Sequence, residues 1–237
     1  MRTGISFLLL LLAMACQSVS YASVVMSGTR VIFPAHLKEQ TLRFSNSGQY
    51  PYIVQLQVDN NESASDSHAG NADFVASPPV FRIEPNKGQS VRLVFTGDNV
   101  ATDRETLFYL SFTQLPVMKP EDQKTNYMVL AVTSRLKLFY RPESLSKNPV
   151  DVASNLVFRM QGNNLVVENP TGYYAVIRKA SINYNNRDYS LATSAMISPK
   201  SSVSWKMSKP VSQLSGAKIN LTMVNDYGVD NTVVRKL

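Results

Sequence analysis

Short apolar runs rich in Val, Ile, Phe, Tyr and Thr recur along this chain, and clusters of Pro, Gly, Asn, Asp and Ser separate them. Such runs read as strands. β-branched and aromatic side chains suit a pleated, half-buried surface, and the turn residues supply the backbone angles that reverse the chain. The runs fall at 29–33, 41–45, 52–58, 90–95, 107–113, 128–140, 156–159, 165–168, 173–178, 203–207 and 219–224. Long stretches with the period of an amphipathic helix are missing. Many short strands at this spacing predict an all-β fold made of antiparallel sandwiches.

A break is expected where the longest run ends. The stretch from Arg141-Pro142-Glu143 to Asn148-Pro149 is polar and carries two prolines. Residues 23–142 and 150–237, joined by a linker at 143–149, then each have the size of one immunoglobulin-like sandwich. Residues 60–71 are rich in Ser, Asn, Asp and Gly and predict a flexible loop. The two halves show no sequence repeat.

Residues 1–22 predict a signal peptide. Arg2 gives a positive start, Ile5 to Ala15 is almost unbroken apolar sequence, and Ser20-Tyr21-Ala22 puts small residues where a signal peptidase reads them. The apolar run is short for a membrane span, and cleavage is expected before Ser23. Two other readings stand beside this one: a buried apolar helix, or a lipoprotein site at Cys16, where Ala13 replaces the usual Leu. Cys16 is the only cysteine in the chain, so a chain starting at Ser23 has no disulfide and relies on buried apolar surface. Its net charge is +6, one less than the +7 of the whole chain, because Arg2 is the only charged residue before Ser23. No basic run with interleaved aromatics points to nucleic acid.

Catalytic patterns are missing. The two histidines, His36 in a polar turn and His68 in the predicted loop, have no second ligand at metal spacing. Asp66 with His68 is the nearest approach to a metal pair, and solvated loop residues explain it better. Glu62 and Asp66 lie in polar sequence that does not tune a carboxylate for catalysis. A nucleophile elbow, a phosphate loop and a dinucleotide fingerprint are all missing.

Six segments are unusual for a generic sandwich. They are Thr29-Arg30-Val31-Ile32-Phe33-Pro34, Ser77-Pro78-Pro79-Val80-Phe81-Arg82, Asp103-Arg104-Glu105-Thr106-Leu107-Phe108-Tyr109, Ser134-Arg135-Leu136-Lys137-Leu138-Phe139-Tyr140-Arg141-Pro142, Glu168-Asn169-Pro170-Thr171-Gly172-Tyr173-Tyr174, and Val224-Asn225-Asp226-Tyr227-Gly228. Together and in this order, they resemble the periplasmic pilus-assembly chaperones of the chaperone–usher pathway. The resemblance implies two immunoglobulin-like sandwiches set in an L with a cleft between them. It also implies a non-enzymatic, cofactor-free role: binding pilus subunits one to one and delivering them to an outer-membrane usher. A weak self-dimer through the donor strand is a further implied partner; membrane insertion and nucleic acid are not. Gln57 stands where the family often has Trp, the sole Trp is Trp205, and the cysteine pair of some members is missing. The short connection from Pro116 to Tyr127 resembles the short-loop subgroup. The rival roles are a pilus subunit, disfavoured by the missing disulfide, and a secreted sandwich enzyme, disfavoured by the missing catalytic cluster.

The resemblance assigns roles residue by residue. Arg30 and Lys137 match the pair that anchors a subunit's terminal carboxylate, a guanidinium fork and an ammonium point charge. Arg135 is the rival of Lys137 but does not match the family anchor. Met128, Leu130 and Val132 match the donated side chains of a strand at about 127–140, and they alternate as one strand face requires. Tyr127, Val129 and Ala131 on the other face are then expected in the protein's own core. Lys137 has the opposite parity, so a bulge or a strong twist is expected between it and Val132. Glu105, Arg141 and Asp226 match a charge network between the domains, expected to fix their angle more than to add stability.

Overall fold

The computed structural model describes residues 23–60, 73–118, 128–145, 151–185, 187–207 and 214–237. The signal peptide with Cys16, almost all of the predicted loop with Glu62, Asp66 and His68, Tyr127, and the later part of the linker lie outside the described residues, as does most of the connection before the donor segment.

The first sandwich holds β1 (Val24–Met26), β2 (Arg30–Pro34), β3 (Glu39–Asn46), β4 (Tyr52–Asp59), β5 (Phe74–Ser77), β6 (Val80–Ile83), β7 (Gly88–Phe95), β8 (Thr106–Pro116) and β9 (Val132–Arg141). Four of these form a sheet in the order β1-β3-β7-β5, and five form the facing sheet β2-β9-β8-β4-β6. The N-terminal segment serves both sheets. β1 pairs with β3, and after Gly28 the chain crosses over so that β2 runs parallel to β9. Alternation is regular where one face meets the core: β4 sends Val54, Leu56 and Val58 inward and leaves Ile53, Gln55 and Gln57 outside. Phe33, Val91, Leu93, Leu110 and Leu138 are fully buried at the centre.

The second sandwich begins with one helical turn, α1 (Val152–Asn155), capped by the Asp151 carboxylate, which accepts from the Ser154 backbone N–H. It continues with β10 (Val157–Gln161), β11 (Asn164–Asn169), β12 (Ala175–Tyr184), β13 (Arg187–Ile197), β14 (Ser201–Lys206), β15 (Lys218–Val224) and β16 (Asp230–Lys236). The sheets are β10-β11-β14 and β13-β12-β15-β16. Leu165, Ile177, Ile182, Ile197, Ile219 and Leu221 fill the space between them, with Trp205 at the rim. The all-β class and the two sandwiches are therefore as expected.

The two sandwiches repeat one device that is not visible as a sequence repeat. Asn46 and Asn169 each end a strand with a fully buried side chain. Asn46 Nδ2 donates to Tyr50 O at 2.8 Å, and its Oδ1 accepts from Gly48 N at 2.9 Å. Asn169 Nδ2 donates to Tyr173 O at 2.7 Å, and its Oδ1 accepts from Thr171 N at 3.1 Å. In both, one amide pins the next turn at positions two and four residues on, and satisfies the backbone there.

The strand expected at 128–140 is shorter. Its ladder begins at Val132, opposite Gln114. Beyond that rung β8 offers only Leu115 and Pro116, and proline has no N–H to give. Val129 and Ala131 are exposed rather than in the core. They have the parity of Lys137 and Phe139, opposite to the core-side Leu136, Leu138 and Tyr140, so alternation turns them away from the first core. β1, β5, β6, β13 and β16 were not among the expected strands.

Candidate functional site

Strand β9 carries three kinds of residue, and alternation sorts them. Leu136, Leu138 and Tyr140 pack in or against the first core. Arg135, Lys137, Phe139 and Arg141 take the other face. Phe139 and Arg141 are buried all the same, because the second sandwich covers them. The Phe139 ring lies 5.5 Å from that of Tyr174, and Arg141 reaches Asp226. Lys137 shares this cleft face and is half-buried.

No bulge separates Lys137 from Val132. The β8–β9 register runs unbroken from Thr106↔Tyr140 to Gln114↔Val132. Val132 lies on the core-side face, and that face continues beyond the end of the core. Met128, Leu130 and Val132 are 82%, 66% and 49% exposed. With Tyr50, Tyr52 and Met118 they line a groove of about 530 Å³. The difference in parity is thus a division of labour: one face of the chain presents apolar side chains beside the sandwich, and the other presents a cation to the cleft.

Arg30 stands directly opposite Lys137 in the parallel β2–β9 ladder. Its Nη1 donates to Val224 O of the second sandwich at 3.3 Å, and its Nε is buried without a partner. Burial pulls its pKa below the ordinary value, Asp226 opposes the shift and Arg178 adds to it. A guanidinium starts so high that it stays charged. Arg135 is already engaged. It grips Asp59 with two bonds of 2.5 and 2.8 Å, donates to Ser111 Oγ at 3.1 Å, and lies 4.4 Å over the Tyr109 ring.

Glu105, Arg141 and Asp226 come together between the sandwiches. Arg141 Nε donates to Glu105 Oε1 at 2.8 Å, and its two terminal nitrogens hold both Asp226 oxygens at 2.8 and 3.0 Å. Tyr174 N donates to Glu105 Oε2 at 2.8 Å, and Gly172 O accepts from Glu105 N at 2.8 Å. Burial pushes the Glu105 pKa above its ordinary value, against the pull of Arg141 and the Tyr174 N–H. Burial alone would lower the Arg141 pKa, but its bonds to Asp226 and the two carboxylate charges raise it. A raised carboxyl pKa favours the folded state below the unfolded value, about 4.3, and that contribution is lost as pH rises through the folded value. Relative to Glu105→Gln, the wild type should therefore lose stability as pH rises from about 4.3. Urea unfolding from pH 4 to 7 checks this, and parallel curves would contradict it.

Sequence alone gives no role to Gly172 and Gly228, and the structure supplies one. A Cβ on Gly172 would lie 2.6 Å from Leu145 Cδ2 and 3.0 Å from Asp103 O, and one on Gly228, at φ +80°, would collide with Thr29 Oγ1. Both mark places where backbone of the second sandwich touches the first. Lys200 adds an ion pair to Asp103. Among the described residues, no three His, Cys, Asp or Glu side chains are placed to hold a metal, and no helix is long and apolar enough to cross a membrane.

Two immunoglobulin-like sandwiches joined through a charged contact, with an exposed apolar segment beside a cationic cleft, define a protein-binding scaffold. Comparison with known proteins makes the class specific. The family model described as "Pili and flagellar-assembly chaperone, PapD N-terminal domain" matches residues 23–146. "Pili assembly chaperone PapD, C-terminal domain" matches residues 151–234. The chaperone protein FimB/FhaD of Bordetella pertussis is 32% identical over 233 residues, spanning 96% of this chain and 93% of its own. The crystal structure of the YadV chaperone superposes with a TM-score of 0.76 at 30% identity, covering 91% of this chain and 100% of that one. A chain from the complex of the SafA pilin with the SafB chaperone of Salmonella enterica gives 0.72 at 31% identity, covering 93% and 99%. The protein belongs to the pilus-assembly chaperone family.

Proposed function

We propose that this protein is a periplasmic chaperone, of the short-loop kind, that captures immature pilus subunits one to one. It lends each subunit a β-strand, holds the subunit's C-terminal carboxylate with Arg30 and Lys137, and delivers it to an outer-membrane usher. The observation that carries the reading is on β9: a cation opposite Arg30 on the cleft face, and exposed Leu130 and Val132 beside the core on the other. Backbone pairing along an added strand supplies affinity, and alternate apolar side chains supply specificity. A guanidinium has five donors, and Arg30 spends one on Val224 at the long distance of 3.3 Å. The SafB relative is seen with a pilin. Residues 1–22 act as the export signal, and the role is binding rather than catalysis, with the subunit's own folding as the driving force.

The test is capture from periplasmic extracts. Arg30→Ala and Lys137→Ala should each lose the co-purifying subunit while keeping the wild-type circular dichroism. Removing one partner of a buried charge pair costs about 2–5 kcal/mol, which weakens binding by more than about tenfold. Normal capture by both variants would remove the anchor role.

A further inference from the structure

We propose that Arg178 of the second sandwich is a third cation of the carboxylate anchor, and that it exchanges Asp230 for the subunit's carboxylate when a subunit docks. This rests on the anchor reading above and adds a residue to it. The placement follows from two ladders. Val224, whose carbonyl oxygen accepts from Arg30 Nη1, pairs with Asp230 across β15 and β16. Asp230 in turn accepts from Arg178 Nε at 2.6 Å. One rung therefore has Arg30 at one end and Arg178 at the other.

A bulge in β12 presents Arg178. The β12–β15 register passes from Ile177↔Met223 to Lys179↔Thr222 and skips Arg178. The burial pattern records the same break: Ile177 is buried, Arg178 and Lys179 are both exposed, and Ala180 is buried again. An extra residue of this kind re-aims a side chain that regular pleating would direct elsewhere. The two guanidinium groups also sense each other, since the Arg178 charge depresses the Arg30 pKa. A carboxylate between two like charges relieves their repulsion.

Of the acids nearby, Asp226 is held at both oxygens by Arg141. The Arg178–Asp230 pair is open to water, with side chains 56% and 43% exposed. Exposed ion pairs contribute little stability, so exchanging Asp230 for a better-enclosed carboxylate costs little.

The experiment titrates the mature protein with a peptide carrying the C-terminal sequence of its co-purifying subunit, made once as the free acid and once as the C-terminal amide. The free acid should bind wild type more tightly, and Arg30→Ala should erase that preference. A preference that survives Arg30→Ala would sink the anchor reading itself. Arg178→Gln should weaken the free acid about tenfold, the worth of one charge-assisted hydrogen bond, and leave the amide unchanged. The amide therefore also reports that the variant is folded. Asp230→Asn, which frees Arg178, should tighten the free acid and steepen its salt dependence. Equal losses for both peptides in Arg178→Gln, no loss for either, or a free acid that Asp230→Asn fails to tighten would each overturn the role of Arg178.

Discussion

Leu130→Glu is expected to abolish subunit capture and to leave the melting temperature of the free protein within about 2 °C of wild type. Leu130 is 66% exposed and outside both cores, so a charge there meets water in the free protein. In the proposed complex the same side chain enters an apolar groove. Burying a leucine is worth roughly 1.5–3 kcal/mol, and a carboxylate in its place turns that gain into a desolvation cost. Leu138 is the contrast. It lies on the core-side face of β9 and is fully buried, so Leu138→Glu should unfold the sandwich. Thermal melts and co-purification of both variants separate the two effects. A Leu130→Glu protein that melts far below wild type would mean that this segment packs in the free protein after all.

Arg141→Ala carries the second large effect, this time on stability. Arg141 bonds to both carboxylates of the network, with side-chain exposure of 8% against 3% for Glu105 and 30% for Asp226. Without it the buried Glu105 carboxylate loses its guanidinium partner and is left with a neutral donor, the Tyr174 N–H. Breaking a buried pair from one side costs about 3–5 kcal/mol, a drop in melting temperature on the order of 10 °C. Arg141→Lys should recover little, because one ammonium cannot bridge two carboxylates with paired donors. The exposed Arg82–Glu84 pair is the control, since removing it should shift stability by no more than about 1 kcal/mol. Calorimetry of the three variants decides. An Arg141→Ala protein that melts with wild type would mean that the network contributes nothing net.

What the chain discloses before folding depends on how local the cause is. β4 and β7 are legible because alternation with the core on one side is written into consecutive residues. β9 reads as a long apolar run because the first core covers one face and the second sandwich covers Phe139 on the other. β13 was not legible. Its exposure follows no regular alternation, and Ser194 sits at φ 52°. β16 is mostly exposed and carries little apolar signal, and β1 has only three residues. At the site, motif order pointed to Arg30, Lys137, Glu105, Arg141 and Asp226. The engagement of Arg135 was invisible, because its partner Asp59 is 76 residues away in sequence. The bulge at Arg178 exists only between two ladders, and Ile177-Arg178-Lys179-Ala180 by itself shows merely two adjacent cations.

The contacts at Gly172 and Gly228 bear on what the cleft can admit. At both, the second sandwich touches the first with no side chain of its own in between. On the second sandwich's side there is no side chain to retract, so any give in the seam must come from Thr29 and Leu145 opposite. The Arg141 network lies alongside these seams and holds them shut. The molecule therefore resembles a calliper with little slack at its pivot. A guest that matches that gauge leaves the seam undisturbed, whereas one that does not must displace Thr29, Leu145 or the Arg141 network.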